Sequence, residues 1–420
     1  MSNREFPRLD ASGQQMIQFI QYICNEVGSR PGGSESEYKA GNIIYDEFKE
    51  FCDEVNQEEF TCHPQGFLDF IWLTAICYIL GFISYFFISP ILSAFLVFSS
   101  IVIYSLQQNF LYEVIDFIFP EETSYHVIGK IKPVQNPKKL ILLSGHHDSA
   151  FEFPLLSKLG EKSAILIIFT IFCALLNIFL SLLKSILLFN VKGSFNSGDP
   201  LNFMRNVQEL SVLTTIDLLQ LVFFTIGSVV VIILALFLRS NKSVLGANDN
   251  LSAVAAILEC GKYLSQYKPV QTEVWLVSFA GEEHMRGSKR FVSKHFEELN
   301  KRKALLLNLE HLSADEYLIA TAEYMFLAKH SPQVYEKLEE SAKKINLQFK
   351  STPLLFPGSD AANFSRKGLY ATTLFGLPKK GSPIYWHTLQ DTPDKLNGAS
   401  IAKAAEVVLQ FVYDVDNMKS

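Results

Sequence analysis

The chain has 420 residues, 49% of them apolar, with 35 phenylalanines and a formal net charge of −6. Its length exceeds one simple core, and the acidic balance lacks the basic footprint that nucleic-acid binding requires. The six cysteines (Cys24, Cys52, Cys62, Cys77, Cys173, Cys260) are scattered without a CxxC pair, which argues against a disulfide framework and a cysteine zinc site.

The first fifteen residues are polar and lack an apolar core, so no signal peptide is expected. Met16, Ile17, Phe19, Ile20 and Ile23 follow helical spacing and predict a helix over 14–26. Gly28 ends it, and Arg30-Pro31-Gly32-Gly33-Ser34 reads as a turn-rich loop. A second helix is predicted over 35–55. The composition then changes abruptly. Between Asp69 and Glu113 there is no charged residue, a run about twice the roughly 20 residues that cross a bilayer. Pro90 divides it into two predicted spans, 70–89 and 91–105. A buried pair of core helices is the bland alternative, and core helices rarely lack a charge for so long.

A soluble stretch returns over 120–160. His126 to Ile131 alternates as a strand, and Asn136-Pro137 turns. The run Leu140-Ile141-Leu142-Leu143 then reads as a buried strand. Past Ser144-Gly145 it presents His146, His147 and Asp148 at its carboxyl end, where open α/β sheets place ligand sites. Two further uncharged runs follow, 163–183 and 218–238, ended by Lys184 and Arg239 as snorkelling residues end membrane spans. A polar loop with Lys192, Asp199 and Arg205 separates them. From 240 onward predicted helices (251–267, 288–300, 334–344, 401–412) alternate with strands (273–279, 305–309, 372–375), which is an α/β pattern. Each apolar block holds two spans and returns the chain to its starting side. Segments 1–66, 113–160 and 240–420 are therefore expected to form one domain. Residues 67–112 form one inserted transmembrane hairpin and 161–239 a second.

Five segments gather ligand-type residues at the ends of predicted elements: His146-His147-Asp148, Gly246 to Asn250, Gly281-Glu282-Glu283, Asn308-Leu309-Glu310-His311 and Trp386-His387-Thr388. Each has a dull meaning alone. Asp148 suits a turn, Asp249 an N-cap, Glu282-Glu283 a solvated helix start, and His387 an ordinary histidine. Glu310 is harder to dismiss, because a buried carboxylate ending an apolar strand needs a partner. Jointly the five sit at segment ends on what would be one rim.

In order, His-x-Asp, Gly-Ala-x-Asp, Glu-Glu, Asn-Leu-Glu, Ser359-Asp360 and His-Thr-x-x-Asp-Thr resemble the di-zinc aminopeptidases of the M28 peptidase family. The likeness covers most of the soluble part, including the Arg30 to Ser34 loop. His146 and Asp249 stand 103 positions apart, and excising the inserted region restores the family's spacing. The resemblance implies a mixed β-sheet flanked by helices, of the zinc-dependent exopeptidase type, here with four transmembrane helices. It implies two Zn²⁺ ions: His146 and Glu310 on one, Glu283 and His387 on the other, and Asp249 bridging both. Asp148 would orient His146, and Glu282 would be the general base. The implied activity is release of N-terminal residues from peptides. Glutaminyl cyclases and carboxypeptidases use related scaffolds, and a binding module without catalysis is a further alternative.

There are departures. His284-Met285-Arg286 reaches Gly287-Ser288 one residue early, Trp386 stands where tyrosine is common, and Glu310 stands where aspartate is frequent. His147 is expected to face away from His146. His284 and His311 sit beside the expected site and read either as contacts to substrate or to the ligand residues or, in the favoured reading, as ordinary surface histidines. Asp391 reads either as a turn residue or as a support for Thr388 or His387. The expected partners are a peptide substrate and the lipid bilayer, not nucleic acid, and the oligomeric state is unreadable. An acidic start without a signal peptide favours a catalytic domain that faces the cytoplasm.

Overall fold

The run 140–143 lies near the middle of a nine-stranded sheet in the computed structural model of the chain, which describes residue 9 and residues 12–194, 200–378 and 385–418. The strands are β1 (Glu54–Cys62), β2 (Glu122–Ile131), β3 (Lys139–His146), β4 (Thr272–Phe279), β5 (Leu305–Glu310), β6 (Glu316–Glu323), β7 (Ala328–Lys329), β8 (Lys350–Leu354) and β9 (Tyr370–Leu377). Across the sheet they run β1-β2-β4-β3-β5-β9-β6-β7, with β8 paired to β6. The block β4-β3-β5-β9 is parallel, and antiparallel pairs flank it on both sides. The sheet is therefore mixed.

Side-chain alternation divides each central strand between two cores. Ile141 and Leu143 of β3 join Val274, Leu276, Leu307 and Leu309 on one face. The helices α1 (Ser12–Glu26), α2 (Glu35–Lys49), α8 (Ser252–Gln266), α10 (Pro332–Lys344) and α12 (Gly398–Asp416) cover that face. Leu140 and Leu142 join Trp275, Val277 and Leu306 on the other, under α9 (Gly287–Lys301) and α11 (Asp360–Arg366). Burial on both faces explains why these strands are continuous apolar runs. Because β4 and β5 lie on opposite sides of β3, the chain reverses direction across the sheet there. The carboxyl ends of these strands thus flank a topological switch point.

The predicted helix over 35–55 stops at Lys49 and gives way to β1. Its start is set by Ser34, whose hydroxyl accepts the Glu37 N–H as an N-cap.

The chain divides into two compact units. Met1–Phe67, Asp116–Phe153 and Ser240–Ser420 make the sheet unit, and Leu68–Ile115 with Pro154–Arg239 make a helical one. The helical unit holds α3 (Ile71–Phe87), α4 (Pro90–Tyr104), α5 (Pro154–Leu159), α6 (Ser163–Ser194) and α7 (Pro200–Phe237). Three stretches are long and apolar enough to cross a membrane: Pro90–Asn109, Ser163–Phe189 and Leu210–Phe237. Ile71–Phe87 is apolar but shorter, so the expected four spans become three and a shorter companion. The second hairpin also differs from expectation. Its helices run for 32 and 38 residues and include Lys192 and Arg205, while Asp199 lies outside the described residues.

The helical unit exposes many large apolar side chains and buries a mixed interior, in which Val97, Phe224 and Val231 pack beside polar groups. Ile76, Leu80, Ile83, Phe95, Phe172 and Phe179 are exposed. Tyr78, Ser84, Ser93, Asn177, Ser181 and Gln220 are buried. The Asn177 amide donates to the Tyr78 hydroxyl at 2.6 Å, and the Gln220 amide donates to Ser181 Oγ at 2.9 Å and to the Asn177 carbonyl at 3.2 Å. Lys184 and the Tyr85 hydroxyl both donate to Asp217, at 2.7 and 2.8 Å.

Candidate metal centre

The carboxyl ends of β3, β4 and β5 bring the five expected segments together. β3 delivers His146, the loop after β4 delivers Glu282 and Glu283, and β5 ends on Glu310. Asp249 comes from the turn ahead of α8, and His387 from a turn after β9. His146 Nε2 lies 3.3 Å from Asp249 Oδ1 and 3.6 Å from Glu310 Oε2. His387 Nε2 lies 3.3 Å from Asp249 Oδ2 and 3.0 Å from Glu283 Oε2. The two oxygens of Asp249 therefore face two different donor sets. Glu282 Oε2 stands 3.5 Å from His146 Nε2, and with His146 and Glu283 it makes a third close group of donor atoms.

Support residues hold each group. Asp148 Oδ1 is 3.2 Å from His146 Nδ1. The same carboxylate accepts the backbone N–H groups of Glu282 and Glu283 at 3.2 and 3.0 Å. One aspartate thus ties the end of β3 to the loop after β4. Burial would raise the Asp148 carboxyl, but the His146 imidazole brings it down to about 2. Glu310 receives the Asn308 amide at 2.8 Å on one oxygen and the Asn250 amide at 2.6 Å on the other, which are the partners its burial demands. His147 does face away: it is fully buried and bonds Ser278 Oγ at 2.9 Å.

Several contributors lie beyond the expected set. Asp391 was open between a turn and a support for His387. Its carboxylate instead accepts the Asn248 and Asp249 N–H groups at 2.7 and 3.0 Å, fixing the turn that carries Asp249. Arg30 is fully buried and donates to the carbonyls of Gly28, His147, Leu245 and Gly246. It thereby clamps the loop after α1 to the turns that carry His146 and Asp249. Glu37 accepts the Gly33 and Gly281 N–H groups and the Ser124 hydroxyl, anchoring the start of the Glu282 loop. His284 and His311 are buried rather than at the surface, and His311 Nε2 lies 3.4 Å from Asp249 Oδ2. Asp360, at the start of α11, is a further buried carboxylate of this region whose oxygens lack a hydrogen-bond partner among the described residues. These roles span distant segments, and only the Ser359-Asp360 pair and the Arg30 loop carry a local signal.

The electrostatics call for a cation. Asp148, Asp249, Glu282, Glu310, Asp360 and Asp391 are buried, with Glu283 beside them. Among the described residues their ion-pair partners are histidines alone. Burial, together with Glu310, Asp360 and Glu283, pushes the Glu282 carboxyl well above its usual range against the pull of His146. Burial likewise raises Glu283 to about 7. Burial would lower His387, but Glu283 and Asp249 lift it to about 10. So many buried acids are costly without a compensating positive charge.

The residues fit a metal. His146, Asp249 and Glu310 offer donor atoms within 4.8 Å of one another, as do Asp249, Glu283 and His387. Asp249 Oδ2 and Glu283 Oε1 have no hydrogen-bond partner among the described residues. Imidazole and carboxylate donors without thiolate suit catalytic zinc.

Residues 229–412 match the family model described as Peptidase family M28. That stretch contains Asp249, Glu282, Glu283, Glu310 and His387, while His146 and Asp148 precede it. No curated protein matches the sequence. Solved structures with a similar fold include a glutaminyl cyclase from an Acidobacteriales bacterium, at 15% identity over 99% of this chain and 98% of that one, with a TM-score of 0.56. A zinc aminopeptidase from Bacillus subtilis matches at 14% identity over 99% and 98%, with a TM-score of 0.56. A leucine aminopeptidase precursor from Bacteroides thetaiotaomicron matches at 14% over 99% of each chain, with a TM-score of 0.54. At such identity the likeness speaks for the fold. Residues 229–412 thus carry the sequence pattern of Peptidase family M28, on a mixed α/β fold shared by zinc aminopeptidases and glutaminyl cyclases.

Proposed function

We propose that the chain is a membrane-embedded di-zinc exopeptidase that releases N-terminal residues from peptides. One observation carries the reading: the two oxygens of Asp249 face His146 and His387 at 3.3 Å each, with Glu310 and Glu283 completing the two donor sets. His146 and Glu310 would hold one zinc, Glu283 and His387 the other, and Asp249 both. When bound, the two ions would lower the pKa of a water and polarise the scissile carbonyl. Glu282 would accept the proton of that water at its carboxylate and pass it to the leaving amine. Asp148 would keep the His146 ring in one orientation and strengthen it as a ligand.

The bilayer is the second partner of this reading. Three long apolar helices, many exposed large apolar side chains and hydrogen bonds that pair the buried Tyr78, Asn177, Ser181 and Gln220 support it, because lipid offers buried polar groups no partner outside the bundle. The sheet unit then faces the cytoplasm. A cysteine introduced at exposed Lys367 would react with an impermeant maleimide only after cells are permeabilised. Labelling of intact cells would reverse the orientation. Native Cys24 and Cys52 serve poorly as probes: Cys24 is buried, and burial pushes the Cys52 thiol up to about 12.

A second reading, glutaminyl cyclase on the same scaffold, is favoured by three cyclases among the similar folds. Zinc-loaded protein assayed on matched free-amine, N-blocked and N-terminal-Gln peptides separates the two. The aminopeptidase cleaves only the free-amine set and stops on chelation. Release of ammonia from the Gln peptide without cleavage would favour the cyclase. Equal cleavage of blocked peptides, or turnover that survives full chelation, would overturn the proposal.

A further inference from the structure

The second helical hairpin leaves the sheet unit after Phe153 and returns at Ser240. Its two stems pair as a short antiparallel ribbon. Val244 N–H donates to the Ala150 carbonyl at 2.9 Å, Glu152 N–H to Lys242 at 2.8 Å, and Ser240 N–H to Glu152 at 2.8 Å. The ribbon begins beside Asp148 and Asp249 and ends on Phe153. There the chain touches His387 twice. Phe153 N–H donates to the His387 carbonyl at 2.9 Å, and its ring meets the imidazole edge to face, 4.3 Å between centroids at 79°.

His387 needs such a brace. Its φ is +51° and that of Tyr385 is +62°, both in the left-handed region that non-glycine residues avoid. Metal-binding histidines are ordinarily fixed by a hydrogen bond from the second ring nitrogen. His387 Nδ1 has none among the described residues. Ring packing and a main-chain bond do that work instead, from Phe153 on one side and the adjacent Trp386 ring, 4.6 Å away, on another.

We propose that Phe153 is a positioning residue for His387, so that the stem of the inserted hairpin is part of the support of the metal centre. The inference rests on the metal reading given above. It assigns Phe153 no contact with substrate.

The test is a zinc titration of the full-length protein in detergent against a competing chelator, with zinc as the only ligand. Wild type, Phe153→Ala, Phe153→Tyr, His387→Ala and the double variant Phe153→Ala/His387→Ala are compared. Tyr22→Ala, at an exposed aromatic, is the control. Phe153→Ala is expected to weaken one of the two zincs by about 10–100-fold, the usual effect of losing a support residue. The other zinc should be unchanged. Phe153→Tyr, which keeps the ring, should restore most of the affinity. The double variant should lose no more than His387→Ala, because Phe153 acts through that ligand. Should Phe153→Ala fail to fold, Phe153→Leu keeps the apolar volume, loses the ring edge and serves in its place. Wild-type affinity in the variant, or equal weakening of both zincs, overturns the positioning role while leaving the metal reading intact. Failure of wild type to bind zinc, or of His387→Ala to lose any, overturns both and identifies the metal reading as the fault.

Discussion

The two units both bury apolar clusters but differ in what they expose and in how they pair their buried polar groups. In the sheet unit the interior is apolar on both faces of the sheet, and the buried charge is concentrated at one end of the parallel strands. In the helical unit many large apolar side chains are exposed, and buried tyrosine, asparagine, glutamine and serine share the interior with Val97, Phe224 and Val231. On the proposed membrane reading the difference is one of solvent. Water drives apolar groups inward, whereas among lipid chains the polar groups are the ones that must find partners within the bundle. It also separates two kinds of buried polarity. The helical unit pairs its few polar groups as links between helices. The sheet unit gathers buried acids whose ion-pair partners among the described residues are histidines, and an arrangement so costly points to use.

The contrast sharpens when one buried polar residue is removed from each unit. Arg30→Met should have the larger effect. It strips the donors from four carbonyls in a dry interior, and an unsatisfied buried acceptor costs about 1–3 kcal/mol. A loss above about 3 kcal/mol is expected from denaturant unfolding, with the turns that carry His146 and Asp249 loosened. Asn177→Leu, in the helical unit, should cost only about 0.6 kcal/mol, the average for a side-chain hydrogen bond between membrane helices. Its Oδ1 already lacks a hydrogen-bond partner among the described residues, so little is left stranded. If Asn177→Leu proves the more damaging, the polar interior of the helical unit is not mere linkage and the comparison fails.

Legibility followed the same division. β3 and β4 were readable almost to the residue, because a strand buried on both faces is an unbroken apolar run. β1 was not: Glu54 to Cys62 is mostly polar, lies at the sheet's edge and is largely exposed, so its sequence reads as the tail of a helix. β6, β7 and β8, near the opposite edge, were missed as well. The residues that the structure gathers into the candidate donor groups could be named because each ends an element with a distinctive local pattern. Their supports could not. Arg30 reaches carbonyls more than a hundred positions away, and Asp391 grips a turn from 142 and 143 positions downstream. No local periodicity encodes such contacts. The burial of His284 and His311 was hidden for the same reason. In the second hairpin the charges at Lys192 and Arg205 suggested a loop, whereas the helices continue through them.

The central claim is that two donor sets share Asp249 while Glu282 stays free to handle a proton. It is tested most directly by Glu282→Gln, measured for zinc content and peptide turnover in the same preparation. The account predicts two zincs per chain, as in wild type, and turnover reduced by about 10²–10⁴-fold. Undiminished turnover, or loss of zinc on this substitution, would contradict it.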